Sequence, residues 1–497
     1  MIFYIFVGNS SDTHKCKRKA VSNHKGFFLS LIRMHKHPLF SLAILGLVIR
    51  YSLGLYTSWS NDVEIWYWIG MSILHGTGLY ERMGFFYPPV WGYILGFFIK
   101  VAAFFIDPKD FAVEVPALRE LSLITGMINT TITSPLFNVV FKTPLFISDL
   151  LIGLTLYKFI YDTTQDIRKA KKAFIMWFFN PLVIAVSAMH GMFDTIAVFF
   201  ALLSMIFVYK GKYFLGGSAW MLGILTKIYP IYFVFAFLVF IVSASYSKEK
   251  NIIAAIRNAI RNILAFILGA TLSLLLVMLP LFLSGTFDEF LRFVFAGRTI
   301  GLIVGGFSVW FIKNIPSFRW VAIWAYNNSA IVIKYSIMIS LLLLCILGLY
   351  MLFHLLKVRT KDEQALYLIY GMILTLVIIY LTSPITQPQY LTWIIPFLVL
   401  YTILYNPKFK YIIYTISISG IMFYFSLESP LAFFLPLAVY TNVIHVQTVC
   451  SIIKSYWYMH GFLNTFLRKD LELISSAMGV ISLLTCLYPL WANHHKI

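Results

Sequence analysis

Asp62 and Glu64 stand two residues apart in Trp59-Ser60-Asn61-Asp62-Val63-Glu64, just past the first long apolar stretch of the chain. Two carboxylates at that spacing can supply a general base, or they can hold a divalent cation such as Mg or Mn. Ser60 and Asn61 are also good capping residues, so a solvated helix cap fits the same stretch equally well. Further on, His190-Gly191-Met192-Phe193-Asp194 carries a carboxylate at the junction of two apolar stretches, and Asp149 lies inside another. A carboxylate held away from water is costly and turns toward a cavity or a partner. Asp194 therefore reads as the wall of a site and Asp149 as a structural hydrogen-bond partner. Lys227, ahead of Ile228-Tyr229-Pro230, can snorkel to a surface or meet a phosphate. Arg298, in Ala296-Gly297-Arg298-Thr299, offers a fork that matches phosphate geometry. Phe86-Tyr87-Pro88-Pro89 sets a rigid extended turn before a helix.

The framework that must position these groups is apolar. Of 497 residues, 60% are hydrophobic, 18% aromatic and 12% charged, which is more apolar surface than a soluble domain can bury. Windows of about 17 to 25 apolar residues, long enough to cross a hydrocarbon core of about 30 Å, recur from Leu39 almost to the end. About thirteen of them read as crossings, which makes the fold an all-α polytopic integral membrane protein. The net charge of +19 sits in short loops between the windows, where it reports orientation and gives no sign of nucleic-acid binding. Lys15, Lys17, Arg18, Lys19, Lys25, Arg33 and Lys36 precede the first window with no small-residue cleavage site. Residues 1–37 thus read as a basic cytoplasmic tail, and 38–497 as a single transmembrane domain without a repeat of fixed period. The cysteines, Cys16, Cys345, Cys450 and Cys486, lie in the tail or in apolar windows and form no disulfide or metal-ligand pattern.

Basic loops belong on the cytoplasmic side, which puts Arg168 to Lys172, Lys248 to Arg261, Lys357 to Lys361, Lys408 to Lys410 and Lys454 to Lys469 inside. Residues 38 to 56 then cross outward. The stretch from about 115 to 137 contains Arg119, Glu120 and a Thr-rich run and makes a poor span. Residues 57 to about 137 are therefore one long external loop holding amphipathic or re-entrant helices. Crossings come next near 138–161, 174–189, 191–209, 213–227, 229–246 and 262–283, then a second external loop from about 284 to 330. The remaining crossings fall near 331–356, 364–382, 390–406, 411–427, 430–450 and 472–491.

In this order the segments resemble the membrane glycosyltransferases of the C superfold that use dolichyl- or polyprenyl-phosphate sugars. The nearest likeness is to the enzyme that adds the first mannose to glycosylphosphatidylinositol precursors. The residues that carry it are Asp62-Val63-Glu64, Tyr87-Pro88-Pro89, Ser148-Asp149-Leu150-Leu151, Asn180-Pro181-Leu182-Val183 and Lys227-Ile228-Tyr229-Pro230. Near the end, Thr386-Gln387-Pro388-Gln389-Tyr390-Leu391-Thr392-Trp393 is similar to the family's Thr-Ser-Gln-Tyr-Phe-Leu-Trp element. The family's Asp-x-Asp is here Asp62-x-Glu64, and His190 to Asp194 is closer to the Gly-Gln-Phe-Asp of dolichyl-phosphate glucosyltransferases.

The resemblance implies a GT-C-like hexosyltransferase, mannosyltransferase-like, working by inverting single displacement. The donor would be a lipid-phosphate sugar and the acceptor a lipid-linked or glycolipid molecule. Asp62 would be the base and Glu64 its assistant, with a divalent cation at Asp62 and Glu64 as an open alternative. Lys227 and Arg298 would meet the donor phosphate, while Tyr87, His190, Asp194, Gln389 and Tyr390 would line the substrate groove. The site would face the external or lumenal side of a cell membrane in a prokaryote, or of the endoplasmic reticulum in a eukaryote. The rival class is a transporter or lipid-linked sugar flippase, whose buried Asp and Lys residues would line a path through the midplane; a transferase instead needs them to converge beneath the first loop. The external placement of that loop is testable at Asn129-Thr130-Thr131, a glycosylation sequon, and by Glu120→Cys, which should react with an impermeant maleimide from outside. Labelling from the cytoplasmic side alone would overturn this topology.

Overall fold

The computed structural model describes residues 39–81, 85–125, 128–249, 251–296, 305–358, 360–427, 429–441, 443–458 and 464–489. The basic tail and Cys16 lie outside the described residues. The chain divides into two units, Met1–Leu45 and Gly46–Ile497. The described part of the first is the opening of the helix Phe40–Tyr56; the rest of that helix and all later elements belong to the second.

Apolar helices dominate. Six of the described helical segments are long and apolar enough to cross a membrane: Pro135–Thr164, Tyr229–Tyr246, Ile252–Leu283, Ser329–Leu355, Lys361–Thr382 and Pro407–Leu427. Two bent pairs, Phe40–Tyr56 with Asn61–Leu74 and Ile167–Phe178 with Pro181–His190, raise the number to eight if each is one span. The protein is thus an all-α, multi-pass integral membrane protein. Four more of the expected crossings are short apolar helices, Asp194–Tyr209, Tyr213–Ile224, Pro388–Leu404 and Pro430–Thr441. At about 1.5 Å per residue such helices fall short of a hydrocarbon core of about 30 Å. Ile252–Leu283 and Ser329–Leu355 bury about a third or less of their apolar windows, whereas Lys361–Thr382 buries 72%. The first two present their leucine and isoleucine faces outward, where lipid is the natural solvent.

Close helix approach depends on small residues. A Cβ at Gly217 would lie 1.8 Å from the Phe266 carbonyl oxygen, and one at Gly269 would lie 2.0 Å from that of Phe214. Only glycine lets Tyr213–Ile224 and Ile252–Leu283 meet backbone to backbone. Deeper in the bundle Arg50 Nε donates to Asp149 Oδ2 at 2.7 Å, both side chains being fully buried. The Ser187 hydroxyl donates to the same oxygen at 2.7 Å, and Trp177 Nε1 donates to the Asp149 carbonyl at 2.9 Å. Asp149 is accordingly a structural group, with its charge met by Arg50.

The stretch 57–137 is a folded assembly of short elements. The helix Ser60–Leu74, in the acidic segment, turns sharply from the first helix, the pair being bent by 86°. Pro89 opens the next helix, Pro89–Ala102, at its first position, where a missing N–H costs nothing. Ala112–Glu114 and Thr131–Thr133 form an antiparallel pair around the short helix Arg119–Thr125.

The expected crossing at 430–450 is corrected. The helix Leu435–Thr441 ends, and a separate amphipathic helix, Val446–Tyr458, packs onto the first loop. Val449 and Ile453 share a buried cluster with Leu118, Leu121, Ile128 and Ile132, and Lys454 pairs with Glu120. A helix that alternates polar and apolar faces over 13 residues lies along a surface and does not span. Lys454 therefore shares a side with the first loop, and its assignment to the opposite face falls. Glu120→Cys and Lys454→Cys should react with an impermeant maleimide from the same face of sealed vesicles; labelling from opposite faces would contradict this packing.

Candidate functional site

Two segments bring the acidic motif to its partner. Thr57, Ser58 and Trp59 link the first helix to Ser60–Leu74, and the Trp59 amide donates to the His190 carbonyl at 3.4 Å. The second segment is a broken span. Asn180 caps Pro181–Ile184 by accepting from the amides of Leu182 and Val183, and the chain then winds into a π turn, Ala185–His190. Gly191 ends that turn at φ +85°, a left-handed conformation that glycine adopts without strain. A Cβ there would also press on the Phe141 ring at 2.8 Å.

Asp62 and His190 meet at this junction. Asp62 Oδ2 lies 2.6 Å from His190 Nε2, and His190 Nδ1 lies 2.9 Å from the Tyr424 hydroxyl. With Asp62 ionised, Nε2 donates to the carboxylate; Nδ1 of the neutral ring then accepts from Tyr424. Trp59 packs on this group, its ring 5.3 Å from that of His190 and 5.0 Å from Phe433. The imidazole is buried, while the Asp62 side chain keeps 29% of its surface open. One carboxylate oxygen is thus fixed in place and the group remains reachable.

Glu64 does not join it. On a helix, residues two apart point to different sides, whereas residues four apart face each other. Glu64 Oε1 accordingly accepts from Trp68 Nε1, at 3.1 Å, on the exposed side. The two carboxylates make no joint donor set, and among the described residues no three His, Cys, Asp or Glu side chains gather as metal ligands. The Mg or Mn alternative at Asp62 and Glu64 does not fit this arrangement.

A second charged pair is reached through the same turn. Asp194, four residues after His190, opens the helix Asp194–Tyr209 and is fully buried. Its Oδ1 accepts from Lys227 Nζ at 2.7 Å and from Trp393 Nε1 at 2.6 Å. Lys227 is thereby a buried, paired cation and no surface charge. Aromatic rings surround its ammonium, with Tyr390 at 4.8 Å, Phe193 and Trp393 each at 5.4 Å and Tyr87 at 5.9 Å. Trp393 is itself sandwiched, 3.7 Å from Tyr229 and 4.4 Å from Tyr390. Tyr87 leans on Phe193 at 4.9 Å, and its carbonyl accepts from Tyr80. Gln389 is buried at the start of this 3-10 turn, Pro388–Trp393.

Most of the residues singled out from the sequence thus converge: Asp62, His190, Asp194, Lys227, Tyr87, Gln389 and Tyr390 belong to one neighbourhood where helix ends meet the first loop. Arg298 lies outside the described residues. Sequence reasoning passed over Trp59, Tyr424, Trp393 and Tyr229 as site members. Trp393 and Tyr229 fall in motifs that were read for other residues, whereas Tyr424 is one tyrosine in an apolar helix and carries no signal of its own.

Fold and site together define a multi-pass membrane protein with a polar, aromatic-walled centre at the junction of broken helices. A model of the family described as GPI transamidase subunit PIG-U matches residues 71–304. Among solved structures the chain is similar to ArnT from Cupriavidus metallidurans in the apo state, with 13% identity, a TM-score of 0.44, and coverage of 94% of this chain and 76% of that one. No curated protein matches the chain.

Breaking a buried ion pair strands its partner at a cost of about 3–5 kcal/mol, while removing both charges costs much less. Asp194→Asn should therefore lower the unfolding temperature in detergent more than the double substitution Asp194→Asn with Lys227→Met. Equal or smaller loss in the single variant would show that the pair does not hold the site together.

Proposed function

We propose that this chain is a membrane glycosyltransferase that moves a hexose, mannose in the first place, from a dolichyl- or polyprenyl-phosphate carrier to a lipid-linked or glycolipid acceptor. The observation that carries the reading is the Asp62 carboxylate, open to an acceptor on one side and held by His190 at 2.6 Å on the other. In the reaction the acceptor hydroxyl attacks the anomeric carbon, Asp62 takes its proton, and the bond from that carbon to the phosphate oxygen breaks. Configuration inverts because no covalent nucleophile intervenes. His190, itself held by Tyr424, donates to Oδ2 and fixes the base, so the proton it gains stays on the Asp62 carboxyl.

The lipid phosphate departs with both electrons of the broken bond, and Lys227 supplies positive charge for it, with Arg298 as the second cation. Asp194 keeps Lys227 in place and Oδ2 of the same carboxylate, buried without a hydrogen-bond partner among the described residues, is an acceptor for a sugar hydroxyl. Tyr87, Tyr390 and Gln389 border the groove, and Glu64 orients the acceptor from its rim. The convergence of Asp62, His190, Asp194, Lys227, Tyr87 and Tyr390 at helix ends favours a transferase over a transporter, which would need such groups strung across the midplane.

The family match favours a second reading, in which the chain is a non-catalytic subunit of a larger membrane assembly acting on glycosylphosphatidylinositol. The matched residues 71–304 take in Tyr87, His190, Asp194 and Lys227 and leave Asp62, Gln389 and Tyr390 outside; the first reading requires a catalytic base and the second does not. Asp62→Asn keeps the shape of the side chain and removes its basicity. In a transfer assay with a labelled lipid-phosphate hexose, turnover should fall by about 100-fold or more, the scale of a lost general base, with expression unchanged. Turnover close to that of the unaltered protein would remove Asp62 from the chemistry.

A further inference from the structure

Lys142, two turns into Pro135–Thr164, is fully buried. A lysine at that depth in a spanning helix ordinarily faces a carboxylate or water. Among the described residues Lys142 forms no ion pair with a carboxylate. Its Nζ donates instead to the carbonyl oxygens of Gly54 at 3.0 Å, Ala188 at 2.8 Å and Thr57. Carbonyls only accept, and three of them around one nitrogen match the three N–H donors of an ammonium.

The positions of those carbonyls explain why a cation is tolerated. Gly54 and Thr57 close the helix Phe40–Tyr56, and Ala188 belongs to the last turn before Gly191. Both places are helix C-terminal ends, where carbonyls lack amide partners and the backbone dipoles present negative charge. The Thr57 hydroxyl donates its one proton to the Leu53 carbonyl at 2.7 Å, with the same Ala188 carbonyl 3.3 Å away as a weaker, shared acceptor. Glycine leaves room for the lysine stem at Gly191, where a Cβ would lie 3.2 Å from Lys142 Cε, while at Gly54 a Cβ would press on the Phe146 ring at 2.8 Å. Five residues beyond Thr57 comes Asp62, and two beyond Ala188 comes His190.

We infer that Lys142 is a positioning residue, whose buried ammonium ties the end of the first helix to the end of the broken span and so sets the contact between Asp62 and His190. Its consequence for transfer rests on the reading of Asp62 as the base; the geometric claim does not, and the test keeps the two apart. Asp62→Cys puts a thiol beside His190, and a cysteine next to a histidine titrates below the ordinary value of about 8.5. The rate of alkylation of that thiol is followed against pH in the full-length protein, with mass spectrometry of its peptide to separate it from the native cysteines.

The midpoint should lie below about 8.5 in Asp62→Cys and return to about 8.5 when Lys142→Met or His190→Ala is added. Lys142→Gln, which retains two N–H donors, should give an intermediate midpoint and carries the test should the methionine variant fail to fold. An unchanged midpoint in a folded Lys142 variant overturns the inference. A midpoint that shifts as expected, in a protein that transfers no hexose even when unaltered, would leave the tie standing and defeat the glycosyltransferase reading instead.

Discussion

The contact between Asp62 and His190 joins two parts of the chain that no single element could hold together. One is the first turn of a helix that bends away from the first span; the other is the end of a span broken at Asn180 and Pro181. Each comes to its place through backbone carbonyls and glycines. Gly191 supplies the left-handed turn after His190, and that turn delivers Phe193 and Asp194 to the second half of the site. Asp194 then gathers Lys227 and Trp393 from far along the chain. A shift of one turn at residues 185–194 would dismantle both halves at once.

Charge inside the bundle follows one rule. Arg50 meets Asp149, Lys227 meets Asp194, and Lys142 meets three carbonyls, each at full or nearly full burial. In lipid no water competes for these groups, so every buried cation must find its counterpart in the chain. Of these partners, only Lys227 with Asp194 stands among aromatic rings that also reach Tyr87 and Tyr390.

Much of this was legible in the sequence, for physical reasons. Continuous apolar runs marked the long helices, and a lone carboxylate or lysine in such a run marked Asp149, Asp194 and Lys227 as paired or functional. The order of short motifs pointed to Asp62, Tyr87 and Gln389 as candidates. What escaped depends on three-dimensional detail. Asp62 and Glu64 looked like a pair until the helix over Ser60–Leu74 turned residues two apart to different sides. Thr441, Asn442, His445, Gln447 and Thr448 mark a break in the run at 430–450, but only the packing of Val449 and Ile453 shows that Val446–Tyr458 folds back onto the first loop. Tyr424 joins this cluster only by lying 2.9 Å from a histidine 234 residues away.

The most direct measurement is transfer itself. Purified protein in lipid vesicles would be supplied with radiolabelled dolichyl-phosphate mannose, or in parallel dolichyl-phosphate glucose, and a mixture of candidate glycolipid acceptors. A transferase moves label from one of these carriers to an acceptor lipid, and the new glycosidic bond has the anomeric configuration opposite to that of the donor. Label that stays on the carrier with every acceptor, while the intact protein copurifies stably with other membrane subunits, would contradict a catalytic role and leave the subunit reading in its place.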